Sequence, residues 1–152
     1  MIVLSRIDSR LIHGQVVEAW LPHLGVQRVV IADDATAQDS LAQVAFRLAV
    51  PPDIEVVTTT VKGVDYRGLA TDKVRTLVLF RDVQAAAAAR EAGLPDGVLN
   101  VGNLHAGPGR EELTRSVFLD AVDRSALAGL AKSGMRVVVQ AIPPDKPTVL
   151  PA

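Results

Sequence analysis

The chain alternates short aliphatic runs with helix-patterned segments, and that alternation limits its possible folds more than any other feature. Ile2-Val3-Leu4, Arg28–Ala32, Ile54–Thr58, Val74–Phe80, Gly97–Val101 and Arg136–Ala141 read as strands, with Ser116–Leu119 as a shorter one. Val74–Phe80 is the clearest of them, a run suited to a strand buried on both faces. Aromatic residues make up only 3 % of the chain. The core therefore has to be built from Val, Leu, Ile and Ala, as is common in parallel α/β sheets.

Between the strands lie the helix candidates. Gly14–Leu24 carries Val16, Val17, Trp20, Leu21 and Leu24 at helical spacing, and Pro22 is expected to end or kink it. Asp33 and Asp34 precede a helix expected over 35–49, which Pro51-Pro52 separates from the next strand. Residues 60–70 form a weaker candidate, since Gly63 and Gly68 lower its propensity. Asp82 caps an alanine-rich helix over 83–92, and Asp123 starts one that Gly134 ends. The pattern predicts one domain over residues 1–152. It is a doubly wound, open, mostly parallel sheet of six or seven strands with helices on both faces. The proline-rich tail from Pro143 is expected on the surface or frayed.

Bulk chemistry narrows the function classes. With 152 residues, 49 % hydrophobic and a mean hydropathy of +0.26, the chain can bury a core and is not of disordered composition. Its net charge of −1 is dispersed and no basic run occurs, which gives no nucleic-acid footprint. The absence of cysteine excludes disulfides and cysteine-ligated metal. No apolar run is long enough to span a bilayer and no secretory signal is evident, so a cytoplasmic location is expected.

In open parallel sheets, ligands bind beyond the carboxyl ends of the strands. The loop after the first strand is the richest there, with Arg6, Asp8, Ser9, Arg10 and His13 just before a helix start. Helix starts favour anions, arginine forks match phosphate oxygens, and a neutral imidazole nitrogen can attack phosphorus. A solvated or capping histidine, and arginines in surface pairs with Asp8 or Glu18, remain the plain alternative.

The stretch Arg6-Ile7-Asp8-Ser9-Arg10-Leu11-Ile12-His13-Gly14-Gln15-Val16 closely resembles the active-site segment of mannose/sorbose-family phosphotransferase-system IIB subunits. That segment usually reads Arg-(Ile/Val)-Asp-Asp-Arg-Leu-Ile-His-Gly-Gln-Val. Trp20, Asp33-Asp34, Pro51-Pro52, the block Asn100–His105 and the ending Gln140–Pro147 agree in order, so the resemblance covers essentially the whole chain. Ser9 departs from it, standing where many members have a second aspartate.

The resemblance implies a phosphocarrier. His13 would take a phosphoryl group, expected on Nδ1, from a IIA partner. It would then pass the group to a sugar presented by the membrane subunits IIC and IID, with the protein peripherally associated there. Arg10 is the first candidate to pair with the phosphoryl oxygens and Arg6 the second. Ser9, Gln15 and backbone N–H groups are candidate phosphate-binding or loop-orienting groups. Asp8 is expected to orient an arginine or the loop, and Gly14 to permit close approach. The family places the first strand between the fourth and fifth, so Asp34, Arg81, Asn103 and His105 become candidates for a surrounding tier. Their alternatives are a helix cap for Asp34, a surface arginine for Arg81 and a loop-orienting histidine for His105. No cofactor or metal is implied, and a homo-oligomer stays open. A regulatory phosphoprotein using the same histidine is the alternative. A nucleotide-binding domain is disfavoured because no Gly-x-Gly-x-x-Gly follows the first strand.

Overall fold

The structure, a computed structural model, describes residues 1–152. Nine strands form in chain order: β1 (Ile2–Asp8), β2 (Arg28–Ala32), β3 (Glu55–Thr59), β4 (Thr76–Phe80), β5 (Val98–Asn103), β6 (Glu111–Thr114), β7 (Val117–Leu119), β8 (Arg136–Val139) and β9 (Thr148–Val149). Seven make one sheet in the order β3-β2-β4-β1-β5-β8-β9, parallel except for β9. β6 and β7 form a separate antiparallel hairpin. The first strand thus lies between the fourth and fifth, as the resemblance implied.

The two-residue period of the strands divides the core. Leu4, Val29, Ile31, Leu77 and Leu79 face one cluster with Leu11, Val16, Trp20 and Leu21. Ile7, Val30, Val78, Phe80, Leu99, Val101, Val137 and Val139 face the other. β4 is buried at every position, which accounts for its unbroken apolar run.

Helices α2 (Asp34–Ala37), α3 (Ser40–Ala49), α4 (Tyr66–Thr71), α5 (Val83–Glu91) and α6 (Ala121–Lys132) each start on an aspartate. Asp33, Asp39, Asp65, Asp82 and Asp120 accept from the N–H of Thr36, Ala42, Gly68, Ala85 and Asp123 in turn. Caps of this kind are each worth about 1 kcal/mol.

Several expected boundaries shift for local reasons. The helix over 35–49 splits into α2 and α3 because Asp39 caps a new start. The weak helix over 60–70 contracts to α4, begun by Asp65. α6 starts at Ala121, and Asp123 closes a capping box with Asp120 instead of starting the helix. The helix expected over Gly14–Leu24 is a π-helical segment, Gln15–Trp20, running into α1 (Leu21–Leu24). Its wider turn is seen where the Leu21 N–H reaches back to the Val16 carbonyl. The tail is anchored rather than frayed: β9 pairs with β8, the Leu150 N–H bonds the Val137 carbonyl, and Gln140 Nε2 donates to the Pro143 and Asp145 carbonyls. No helix is long and apolar enough to cross a membrane.

Candidate active site

β1 ends at the carboxyl edge of the sheet, and its period places Leu4, Arg6 and Asp8 on one face. Arg6 and Asp8 are both completely buried. Burying charge is tolerated only when each group is paired and hydrogen-bonded. The Arg6 guanidinium donates through Nε (3.2 Å) and Nη2 (3.0 Å) to Asp8 Oδ2. Its Nη1 donates to Asn100 Oδ1 (2.6 Å) and the Gln140 carbonyl (3.3 Å). Asn100 Nδ2 also donates to that carbonyl, at 3.0 Å. The Trp20 ring lies against the guanidinium, 5.3 Å from centroid to Cζ, and its Nε1–H bonds the Ala141 carbonyl. Burial pulls the Arg6 pKa below its usual value, against the opposing pull of Asp8.

Gly102 belongs to this arrangement. A Cβ at that position would lie 2.0 Å from Arg6 Cζ, so only glycine leaves room for the guanidinium. Asn100 and Gly102, two apart on β5, therefore shape the Arg6 pocket together.

Asp8 transmits this order to the loop. Its Oδ1 accepts the Arg10 N–H at 3.0 Å, and the Leu11 N–H bonds its carbonyl at 3.0 Å. Leu11 has φ 59°, a left-handed conformation costing a leucine about 1–2 kcal/mol, and its fully buried side chain holds it there. That turn brings His13 back over Asp8. His13 Nε2 lies 2.7 Å from Asp8 Oδ2, and the imidazole keeps 10 % of its side chain accessible. An ionised carboxylate can only accept, so Nε2 carries the hydrogen of this contact, and in the neutral ring Nδ1 keeps its lone pair. Arg10 is exposed beside it, and both line an open depression of about 440 Å³ with Gly14, Gln15, Glu18 and Ile142.

The candidate residues thus separate. Arg6 is enclosed, with four of its five N–H hydrogens bonded to Asp8, Asn100 and the Gln140 carbonyl, so it braces Asp8 and does not line the depression over His13. Asp8 orients the histidine as well as Arg6 and the loop. Ser9 bonds through its backbone N–H to the Asn103 carbonyl at 2.9 Å, with its hydroxyl 3.5 Å from Asn103 Oδ1. Gly14 has ordinary helical backbone, and a Cβ there would meet nothing within 4 Å, so the space it leaves is outside the chain.

The surrounding tier is mostly committed elsewhere. Arg81 donates to Asp33, at 3.1 and 2.8 Å, and Asp34 accepts the Val61 N–H at 2.9 Å. Each therefore ties two neighbouring loops together, and neither bonds the His13 loop. Burial raises the Asp33 pKa, but hydrogen bonds from Arg81 and Thr36 outweigh it and hold the carboxyl below its ordinary range. His105 is exposed and its imidazole makes no hydrogen bond within the chain. Asn100, Gly102 and Trp20 stand in the sequence only within blocks that match the family, and nothing there assigns them a role. The signal for the first two was their two-residue spacing on a strand beside β1.

Residues 2–151 match the family described as PTS system sorbose subfamily IIB component. The N-acetylgalactosamine-specific phosphotransferase enzyme IIB component 2 of Escherichia coli strain K12 is 33 % identical over 145 residues, covering 95 % of this chain and 92 % of that protein. The sorbose-specific EIIB component of Klebsiella pneumoniae is 32 % identical, over 95 % of this chain and 89 % of its own. The crystal structure of the N-acetylgalactosamine-specific IIB component 1 from Escherichia coli superposes with a TM-score of 0.91 at 28 % identity, covering 99 % of this chain and all of the other.

Proposed function

We infer that this chain, which belongs to the sorbose-subfamily IIB components of the sugar phosphotransferase system, carries its phosphoryl group on Nδ1 of His13. The observation that carries this reading is the 2.7 Å contact between His13 Nε2 and the buried Asp8 carboxylate. It keeps the proton on Nε2 and frees Nδ1 for attack.

The geometry suits both directions of transfer. As Nδ1 attacks phosphorus, the ring becomes an imidazolium, and its positive charge develops against Asp8 in a site fixed in advance. Arg6 holds Asp8 in place before and after. The protonated Nε2 makes Nδ1 a good leaving group, so the phosphoryl group moves on readily. Arg10, exposed beside the ring, supplies the forked donor for the phosphoryl oxygens. Positioning and charge stabilisation are the main demands of phosphoryl transfer, and no metal or cofactor is invoked.

The donor in this reading is a IIA phosphocarrier. The acceptor is a sugar held by IIC and IID, which would bring the protein to the inner face of the membrane. Transport, rather than a regulatory role alone, is the reading that the family relationship favours. The test is discharge: phosphorylated protein added to membranes carrying the cognate IIC and IID should lose its label only when sugar is present. Sugar-independent loss, or none, contradicts the reading.

A further inference from the structure

The two edges of the central sheet are finished differently. β9 is two residues long and lies between Pro147 and Pro151, so it offers little to another chain. β3 closes the opposite edge with five residues, Glu55–Thr59, that pair with β2 in unbroken register. It has no proline, lysine or bulge, and Val56, Val57, Thr58 and Thr59 are all β-branched. An edge of this kind is a template for a further strand unless something covers it.

The backbone decides which groups are free there. The Glu55 N–H bonds the Gln27 carbonyl and the Thr59 carbonyl accepts the Asp33 N–H, each at 3.0 Å. Glu55, Val57 and Thr59 therefore turn their peptide groups to β2, and by alternation Val56 and Thr58 turn theirs outward, where β3 has no neighbouring strand. On one face of this edge, Glu55, Val57 and Thr59 line a depression of about 530 Å³ together with Val30, Val64 and Leu69.

We propose that β3 pairs antiparallel with β3 of a second copy of this chain, about a two-fold axis at Val57. In that register Val56 of each copy exchanges N–H···O bonds in both directions with Thr58 of the other. Val57 meets Val57 on the axis as a non-hydrogen-bonded pair, the closer kind, in which β-branched side chains pack well. The two depressions come to lie side by side. Charge agrees with the register. Exposed Asp53 precedes β3 and exposed Lys62 follows it, so each copy's Asp53 comes to the end of the edge where the other's Lys62 lies. Glu55, the charged residue of β3, opposes Thr59 and no like charge.

A five-residue edge is about 17 Å long. That is short for the about 800 Å² per partner of a stable complex, so the dimer is weak and concentration-dependent. It leaves the phosphoryl site clear. β2 and β4 separate β3 from β1, and the axis, normal to the sheet, turns the two carboxyl edges to opposite ends.

The experiment uses the full chain alone, from micromolar to millimolar concentration. Sedimentation velocity should show monomer passing to dimer and no further, because the pairing consumes both β3 edges. Amide exchange at high concentration should slow about tenfold at Val56 and Thr58, and less than about twofold at Val57, which already bonds β2. Val56→Pro removes an outward N–H and no bond to β2, so it should keep the parent's urea midpoint and stay monomeric. Should Val56→Pro not fold, exposed Lys62→Glu serves: self-association should weaken about threefold, and adding Asp53→Lys should restore it. A parent that stays monomeric, association beyond the dimer, or slowing equal at Val56, Val57 and Thr58 overturns the pairing. So does a dimer that survives Val56→Pro but is lost in Leu48→Arg, which would place the second copy on the exposed face of α3.

Discussion

His13 Nε2 and Asp8 Oδ2 lie 2.7 Å apart, and the same Asp8 oxygen also receives the Nε and Nη2 hydrogens of Arg6. One oxygen therefore joins the imidazole to a buried arginine that Asn100, Gln140 and Trp20 hold in turn. The histidine is accessible at one edge, but the apparatus that sets its tautomer is internal. In the proposed reading, stability and phosphoryl chemistry therefore depend on the same side chains.

The tautomer can be seen directly. With the ring neutral, nitrogen-15 NMR of the unphosphorylated protein should show His13 protonated on Nε2 and bare on Nδ1. After labelling, the phosphorus coupling should appear at Nδ1. A resting ring protonated on Nδ1 would contradict the role given to Asp8.

Asp8→Asn should damage both folding and chemistry. It leaves the buried Arg6 charge without its carboxylate, at a cost of about 3 kcal/mol, and removes the acceptor that aligns His13. Phosphorylation should slow about 100-fold, as for a misplaced nucleophile. Urea unfolding and the rate of labelling check the two effects, and a variant of parental stability would show that the pair is not critical.

Gly102→Ala is a sharper probe because Gly102 makes no contact that chemistry requires. Its added methyl would overlap Arg6 Cζ, forcing the guanidinium off Asp8. Overpacking of this kind costs about 1–3 kcal/mol. Labelling should fall along with stability, whereas Gly14→Ala, which meets nothing within the chain, should leave stability nearly unchanged.

The fold was legible where local chemistry and packing agree. The aliphatic runs at β2 and β4 and the aspartate before α5 marked their elements because burial and capping act locally. The depth of Arg6 was not legible in the same way. An arginine between Ser5 and Ile7 looks solvated until β1 is known to be central, and only then does its place on the face of Leu4 and Asp8 imply burial. The anchoring of the tail was hidden for a related reason. Thr148 and Val149 pair with β8 across the sheet edge, a long-range contact that their proline-rich surroundings do not announce.

Acid sensitivity should arise in part away from the site, at Asp33. Its folded pKa lies below its ordinary value, so its stabilising contribution is complete above the unfolded value, about 3.9. It is lost as pH falls through the folded value. Stability of the parent should therefore decline below about pH 3.9. Asp33→Asn should be less stable near neutrality and show a shallower decline on acidification. Urea midpoints for both proteins across that range check this, and parallel curves would contradict it.

The central claim is that His13 carries the phosphoryl group, and the most direct measurement maps it. The protein is incubated with labelled phosphoenolpyruvate, the general phosphotransferase proteins and a cognate IIA, then digested under mildly alkaline conditions and sequenced by mass spectrometry. One acid-labile phosphate on His13, absent from His13→Ala, is the predicted result. A label on His23 or His105, or one that survives in His13→Ala, would contradict it.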